Sequence, residues 1–505
     1  MSRYILGLDA GTSMIKAALF DRDFRESHAV GRRTTVHMPR TGWTECDMDE
    51  VWTMTAEALR SITSQVDPHD VAAVALTGNM VGAWLLDADG QPARAAILWS
   101  DGRTQGLIDR FSAEKPGFMS VIFRSSGSVM QQGCTLPALR WLAEHEPDVI
   151  ARTRHVVSCK GWLIYNLTGS IQLDATEIPG MPGDIRTRSY SDAMFDWLGV
   201  SELRSLFPPV VPSDQIVGAV TARAAQLTGL APGTPVVVGA GDVPASALGV
   251  GAAEPGDACC LLGTNILNCL VTTAPLFEPA DLGLSFCLPP DKWLRAMVTV
   301  AGTTNLDWAT RLFFSAEATA APDQTTLFAD LEQIAASSPP GARGVLYLPY
   351  LSAAGIITPV VQPGARAQFG GMTQEHTRAD LLRAVYEGVA LSVRDGFDVI
   401  PAPVESIRLS GGGAKSAFWS QMIADCTGRQ VIVPAGSEFG ARGAAALGAV
   451  ALEWYPTVTD AVSIYRDQGR VFTPQPDSVR LYDTLFQRYT RLRQHLDPFW
   501  SDSRR

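Results

Sequence analysis

A short turn near the N-terminus combines an acid with small residues. Residues 9–13, with the sequence DAGTS, lie between apolar runs at 4–8 and 15–20. Such a turn leaves consecutive backbone N–H groups unshielded, which makes a concavity suited to phosphate. Asp9 at its rim could hold a magnesium ion, through water, against the same phosphate. The stretch could equally do no more than reverse the chain between two strands.

Asp242 is the second acid in a position to do chemistry. It stands where an apolar run at 234–241 meets a helix-like stretch at 243–251. It could cap that helix, or it could act as a general base on a substrate hydroxyl. Helix-cap hydrogen bonds are expected to lower its pKa, which phosphoryl transfer tolerates because positioning matters more there than proton abstraction.

A run of three glycines follows a predicted strand in the second half of the chain. Residues 409–419 read LSGGGAKSAFW and match neither the dinucleotide-binding fingerprint nor the Walker A pattern. Three glycines would let a flat ring lie close to the backbone, which suits an adenine pocket. A tight connection between a strand and a helix is the alternative.

Polar and aromatic side chains follow two predicted strands of the first half. They lie within residues 77–82 and 97–104. Hydroxyl-rich ligands are bound by such groups, through hydrogen bonds and through stacking on C–H faces. Each residue alone could equally be a loop or packing residue. The candidates are Asn79, Met80, Trp99, Asp101 and Arg103.

Strand-like and helix-like segments alternate along the chain. Residues 71–78 and 234–241 are typical of buried strands, and residues 49–66 and 377–400 repeat apolar positions at helical spacing. The chain is therefore α/β.

Two similar hairpins indicate a repeated architecture. Residues 7–20 and 261–273 both read as an apolar run, a Gly-Thr turn and a second apolar run. Their spacing predicts two halves of similar build, with a boundary near residues 245–255, where glycine, proline and aspartate interrupt the pattern.

Composition restricts the classes of ligand and compartment. The net charge of −11 disfavours nucleic acid and anionic membranes as partners. The sequence predicts neither a secretion signal nor a membrane span. The eight cysteines form no CxxC pair and read as reduced core residues of a cytoplasmic protein.

Taken in order, these segments resemble the FGGY family of carbohydrate kinases, which includes glycerol kinase and xylulokinase. The resemblance runs from GLDAGTSMIKAALFD through LTGNMVGAWLLD, AILWSDGRT, GAGDVPASALG and LLGTN to SGGGAKSAFWSQMIAD and FGARGAAALGA. No single motif is decisive, but their shared order over nearly the whole chain is specific.

The resemblance implies two actin-like, ribonuclease H-like domains with a hinged interdomain cleft. Residues 1–247 would bind the sugar and residues 248–505 would bind ATP. Asp9 would support Mg²⁺, Asp242 would be the catalytic base, and a homodimer is expected. The expected ATP and phosphate contacts are Gly11, Thr12, Ser13, Gly263, Thr264, Gly302, Asn305, Gly412, Gly413 and Ser416. The expected sugar contacts are Asn79, Met80, Val81, Trp99, Asp101 and Asp242.

The chain differs from better-known members of the family in the segment that would contact the sugar. Xylulokinases of the family usually read GQMHG where residues 78–82 read GNMVG, so Val81 replaces a histidine that contacts the sugar. The Arg-Glu pair of glycerol kinase is also missing there. A five-carbon ketose is the leading expectation, followed by erythritol, a tetrulose or a glycerol-type polyol.

Two rival functions remain compatible with the fold. An actin-like ATPase that binds a protein partner would hydrolyse ATP without a small acceptor, and would leave the strand-end residues unexplained. An inactive, sugar-responsive regulator would be expected to lose Asp9 or Asp242, and both are present.

Overall fold

The structure is a computed structural model that describes residues 3–502. The chain forms two compact units. The first contains the residues up to Pro255 together with Val271–Arg295 and Gly436–Asp467. The second contains Gly256–Leu270, Ala296–Ala435 and the residues from Gln468 onward. A late segment of the chain therefore returns to the first unit.

The strands are numbered in chain order. They are β1 (Tyr4–Ala10), β2 (Met14–Phe20), β3 (Glu26–Arg33), β4 (Glu45–Cys46), β5 (Val71–Gly78), β6 (Trp84–Leu86), β7 (Ala96–Ile97), β8 (His155–Val157), β9 (Leu173–Asp174), β10 (Val210–Val211), β11 (Ile216–Ala219), β12 (Pro235–Gly241), β13 (Ala258–Leu262), β14 (Ile266–Thr272), β15 (Leu284–Leu288), β16 (Lys292–Thr299), β17 (Leu346–Leu348), β18 (Gln368–Gly370), β19 (Ser406–Ser410), β20 (Gln430–Pro434) and β21 (Gly469–Phe472).

The helices follow the same convention. They are α1 (Met48–Thr63), α2 (Gln105–Glu114), α3 (Phe118–Ser126), α4 (Thr135–His145), α5 (Pro147–Arg152), α6 (Cys159–Thr168), α7 (Asp192–Leu198), α8 (Ala222–Thr228), α9 (Asp242–Gly249), α10 (Thr304–Phe313), α11 (Ser315–Ala320), α12 (Gln324–Ser337), α13 (Arg378–Asp398), α14 (Ala417–Thr427), α15 (Phe439–Ala451), α16 (Val458–Arg466) and α17 (Pro476–Asp502).

The first unit is built on a six-stranded sheet in the order β11-β12-β5-β1-β2-β3. Strands β12, β5 and β1 are parallel, whereas β1, β2 and β3 form an antiparallel meander. Nearly every residue of β5 and β12 is buried, because helices cover both faces of the parallel part of the sheet. Parallel strands end at one common edge, so the residues that follow β1, β5 and β12 are brought together.

The second unit repeats this arrangement. Strands β14, β13, β19, β20 and β21 are neighbours in that order. Hairpin β13–β14 is antiparallel and β19 runs parallel to β13, as β5 does to β1. The two predicted hairpins and the predicted α/β class are therefore confirmed, as are the strand at 71–78 and the long helix within 377–400.

Within residues 3–502, none of the helices combines the length and the apolar character that a membrane crossing requires. The predicted domain boundary between residues 247 and 248 stays a prediction.

Candidate active site

Asp9 and Asp242 lie at the same edge of the first unit's sheet. Asp9 is near the end of β1 and pairs in register with Thr77 of β5, whose neighbour Gly78 is in register with Gly241 of β12. Asp242 follows Gly241 directly. Three parallel strands therefore place two acids from distant parts of the sequence together, and the charge of Asp9 raises the pKa of Asp242.

The carboxyl group of Asp242 holds its proton far more tightly than an ordinary aspartate. Burial is the largest cause, and the charges of Asp9 and Glu177 add to it, so that the pKa rises to about 7. Helix α9 begins at Asp242 and Gly241 is its cap, and the Asp242 carboxylate accepts the Val243 N–H at 2.9 Å. The expectation of a lowered pKa is therefore wrong, because burial and the charges of Asp9 and Glu177 outweigh the hydrogen bonds at the start of the helix.

The environment of Asp9 is set by the adjoining strand and by helix α15. Burial raises the pKa of Asp9 to about 6, against the opposing charge of Lys16, which pairs with it across the hairpin. Lys16 Nζ in turn lies 3.0 Å from Glu438 at the start of α15. A Cβ on Gly440 would lie 2.4 Å from Asp9 Oδ2, so only glycine allows the helix this close to the carboxylate.

The turn after Asp9 is held from its carbonyl side by Thr34. The Thr34 hydroxyl donates to the Thr12 carbonyl oxygen at 2.6 Å, and the Thr34 N–H donates to the Ser13 carbonyl oxygen at 3.2 Å. The indole N–H of Trp99 donates to the Thr12 hydroxyl at 2.9 Å, and 43% of Trp99 is exposed. Thr12, a predicted phosphate contact, and Trp99, a predicted sugar contact, are therefore neighbours. Gly11 lies beside Thr12 in the same turn.

The segment after β5 supplies three more of the predicted sugar contacts. Asn79 is buried and donates from its amide side chain to the Ala10 carbonyl oxygen at 3.0 Å, which fastens the ends of β5 and β1 together. The Met80 thioether covers Gly241, since a Cβ there would lie 2.4 Å from the sulfur. Val81 has a φ of 59°, a conformation rare for a β-branched residue.

Asp101 occupies a different setting from the other predicted sugar contacts. It is fully buried, and its carboxylate accepts hydrogen bonds from the Thr44 N–H at 2.6 Å and from Arg103 Nε at 2.8 Å. Arg103 also stacks over the ring of Trp43 at 4.1 Å. The ion pair holds segment 97–104 in place, and a direct contact between Asp101 and a sugar stays a prediction.

The second unit has a turn of its own between β13 and β14. Gly302 N–H donates to the Thr264 carbonyl oxygen at 2.7 Å, and Thr303 N–H donates to the Gly263 carbonyl oxygen at 2.8 Å. A Cβ on Gly302 would lie 2.4 Å from the Gly263 oxygen, so the close approach of the two turns requires glycine.

Asn305 supports that turn from inside the protein. It is fully buried; its amide donates to the carbonyl oxygens of Ala301 and Gly302 at 2.9 and 3.0 Å, and its oxygen accepts from the Tyr347 hydroxyl at 2.8 Å. Both ends of the side chain are therefore engaged, and Asn305 orients the backbone beside Gly302.

A cavity of about 470 Å³ opens beside the three-glycine turn of the second unit. Gly411 has a φ of 90°, and a Cβ there would lie 2.6 Å from the Leu262 carbonyl oxygen. A Cβ on Gly412 would meet nothing within 4 Å, so there is free space beside the backbone of this residue. Predicted residues Gly412, Gly413 and Ser416 line the cavity together with Thr303, Glu332, Tyr386 and Lys415.

Several residues of these sites carried no sequence signal. Glu332 comes from α12, which has no glycine turn or strand end to mark it. Gly440 belongs to a run of small residues that reads as helix packing, and that interpretation is correct for most of the run. Only the proximity of Gly440 to Asp9 gives it a further significance.

Matches to protein-family models cover both halves of the chain. Residues 4–249 match the N-terminal domain of the FGGY family of carbohydrate kinases, and residues 258–452 match its C-terminal domain. A xylulose kinase of Escherichia coli (strain K12) is 34% identical over 452 residues, covering 88% of this chain and 90% of that protein. An erythritol kinase of Brucella abortus (strain 2308) is 30% identical over 515 residues, covering 98% and 97%.

A solved structure extends the likeness to the fold. The crystal structure of xylulose kinase from Rhodospirillum rubrum, 28% identical, has a TM-score of 0.87 and covers 99% of this chain and 100% of that one. The predicted pair of actin-like, ribonuclease H-like domains is thereby confirmed. This chain therefore belongs to the FGGY family of carbohydrate kinases.

Proposed function

We propose that this carbohydrate kinase transfers the γ-phosphoryl group of ATP to a hydroxyl of a pentulose of the xylulose type. Kinases of the family use ATP as phosphate donor. The observation that carries the proposal is the pairing of Asp9 and Asp242 at one sheet edge, with a pKa of about 7 for Asp242. An acid with that pKa is suited to take a proton near neutral pH.

Asp242 is the base in this proposal. It accepts the proton of the attacking hydroxyl as the oxygen bonds to phosphorus, and ADP leaves as the O–P bond of ATP breaks. The transition state is loose, so the main task of the carboxylate is to hold the hydroxyl in line with the phosphoryl group.

Asp9 fits the role of a magnesium-supporting residue. Its carboxylate is a hard oxygen donor, as Mg²⁺ requires. In the part of the chain that the structure describes, no group of three or more histidine, cysteine, aspartate or glutamate side chains forms a ready metal site. Mg²⁺ would therefore be held by Asp9, water and the phosphates of ATP. Bound in this way, Mg²⁺ neutralises charge on the transferring phosphoryl group.

In this proposal the nucleotide and the sugar bind to different halves of the chain. We assign the sugar to residues 1–247 and ATP to residues 248–505, which the family matches at 4–249 and 258–452 support. In the first half, the amide side of turn 11–13 is directed to the transferred phosphate. In the second half, the turn at 263–264 takes phosphates and the glycine-lined cavity takes adenosine.

The sugar class rests on the relatives and on the strand-end residues. The E. coli relative is a xylulose kinase, which favours a pentulose. The Brucella relative is an erythritol kinase, so a four-carbon polyol is the second candidate. Val81, the apolar residue in left-handed conformation, is expected to shape the pocket together with Asn79, Met80 and Trp99.

Compartment and assembly follow as part of the same proposal. All eight cysteines are buried and free of disulfides, which supports a reducing, cytoplasmic location. We further propose that the protein is a homodimer and that it has no nucleic-acid partner. The net charge of −11 supports the exclusion of nucleic acid.

The test is ADP release from Mg-ATP with D-xylulose, L-xylulose, erythritol and glycerol as acceptors. We expect strong turnover with one ketopentose and a loss of at least about 10²-fold in kcat for Asp242→Asn. Asp89→Asn, in an exposed turn, is the matched control and is expected to keep full turnover. ADP release that is the same with every acceptor and with none would contradict the sugar pocket and favour an ATPase with a protein partner.

A further inference from the structure

A buried cluster of charged and polar side chains lies behind the strand that carries Asp242. It consists of Lys160, Asp174 and Thr176, which we call the buried network, and no more than 1% of any of the three is exposed. The mechanism above uses none of them. Burying an ion pair gains little stability over an apolar pair, so stability alone does not account for its presence here.

The network is centred on the carboxylate of Asp174. Lys160 Nζ donates to Asp174 Oδ1. The Thr176 hydroxyl and N–H donate to Oδ2 at 2.7 and 2.9 Å. The Ser213 hydroxyl also donates to Oδ2, at 2.8 Å. Both oxygens of the carboxylate are therefore engaged, which fixes the orientation of Lys160 and Thr176.

The strand in front of this network is irregular. The pairing of β12 with β5 shifts register between Val237 and Ala240, and Gly239 has a φ of 68°. A Cβ on Gly239 would lie 1.6 Å from the Leu76 carbonyl oxygen, so this position requires glycine. Bulges of this kind redirect the residues that follow, and they are frequent beside active sites. The bulge therefore sets the direction in which the chain enters Asp242.

The network bonds the backbone of β12 at two points, one within the bulge and one just after it. Lys160 Nζ donates to the Gly239 carbonyl oxygen at 3.3 Å. Thr176 Oγ1 accepts from the Gly241 N–H at 2.8 Å. The residue that receives the second bond is the immediate neighbour of Asp242, so any movement of Gly241 moves the base.

We propose that Lys160, Asp174 and Thr176 are positioning residues for the carboxylate of Asp242. The inference rests on the proposed function, in which Asp242 is the base. Thr176 is the direct link, because its hydroxyl joins Asp174 to the backbone N–H before Asp242. Without it, that N–H loses its acceptor and β12 loses one of its two hydrogen bonds to the network. Misplacing a reacting group by about 1 Å can cost roughly 10²-fold in rate.

The test compares Thr176→Val with two matched variants. Valine keeps the shape of the side chain and removes the hydroxyl. Thr176→Ser restores the hydroxyl, and Ser213→Ala removes a hydrogen bond to the same Asp174 oxygen without touching Gly241. For each protein, kcat and both KM values are measured with Mg-ATP and the acceptor that wild type uses. Hydrogen exchange of the segment 239–243 is measured on the free enzymes.

We expect Thr176→Val to lose at least about tenfold in kcat, to keep both KM values within about threefold, and to exchange faster at 239–243. Thr176→Ser and Ser213→Ala are expected to stay within about threefold of wild-type kcat. A kcat within threefold of wild type for Thr176→Val would overturn the positioning role, as would an equal loss in Ser213→Ala. A wild-type enzyme without acceptor-dependent turnover would overturn the proposed function itself, and this inference with it.

Discussion

At the scale of single residues, Asp242 is expected to destabilise the fold at the pH where it works as a base. Its pKa of about 7 in the folded chain lies well above the value of about 4 for an unfolded aspartate. Above pH 7 the carboxylate is charged in both states, and the folded state bears the full cost of burying the charge. As the pH falls from 7 to 4 the folded state takes up its proton first, so this cost disappears.

Asp242→Asn is therefore expected to be more stable than wild type at pH 8, by up to about 4 kcal/mol, because the buried charge is removed. The gain should shrink to less than about 1 kcal/mol near pH 4.5. Thermal unfolding of both proteins without nucleotide, at the two pH values, measures the difference. A gain that is equal at both pH values, or a loss at pH 8, would contradict the raised pKa.

The sequence could identify Asp9 and Asp242 but not their proton affinities. The type of residue and its place at a strand end are local features, and they predicted both acids. The pKa depends on burial and on the charges of Asp9 and Glu177, which the tertiary structure brings near Asp242. Glu177 has no motif of its own, and its pKa is raised to about 7 by burial, against the opposing charge of Lys160.

At the scale of elements, helix α15 depends on glycines to reach its neighbours. A Cβ on Gly443 would lie 1.8 Å from the Ala245 carbonyl oxygen of α9. The Cβ would be fixed directly to the α15 backbone and the oxygen belongs to the α9 backbone, so a change of rotamer cannot relieve the contact. The run of small residues at 439–454 is typical of a helix that packs closely, and α15 within it does so. Which elements it packs against could not be predicted, because that is decided by tertiary structure.

Gly443→Ala is expected to push α15 away from α9 and to cost about 1–3 kcal/mol in the free energy of unfolding. Gly106→Ala in α2 is the matched control, because a Cβ there meets nothing within 4 Å. That control should lose nothing and gain up to about 1 kcal/mol, since alanine favours the helix. Equal melting temperatures for the two variants would contradict the close packing of α15.

At the scale of the whole molecule, the sequence predicted a duplicated architecture, and the two sheets bear this out. The order of motifs along the chain was the strongest signal, since each motif alone had a structural explanation. What it did not reveal is that Gly436–Asp467 belongs to the first compact unit, although this segment follows the three-glycine turn in the chain. Long-range packing decides where this segment lies in the fold, and local sequence patterns do not reveal long-range packing.

The division of ligands between the units can be tested by filling the cavity of the second unit. Gly412→Phe places an aromatic ring at a position where a Cβ meets nothing within 4 Å and which lines the cavity of about 470 Å³. Residues other than glycine can adopt the backbone conformation of Gly412, so the fold should be retained. We expect the Kd of a non-hydrolysable ATP analogue to rise at least about tenfold, with the Kd of the sugar changed by less than threefold. Gly412→Ala, which is too small to fill the cavity, should leave both constants near wild type. If Gly412→Phe weakens sugar binding and leaves the nucleotide unaffected, ATP binds elsewhere and the assignment of the cavity is wrong.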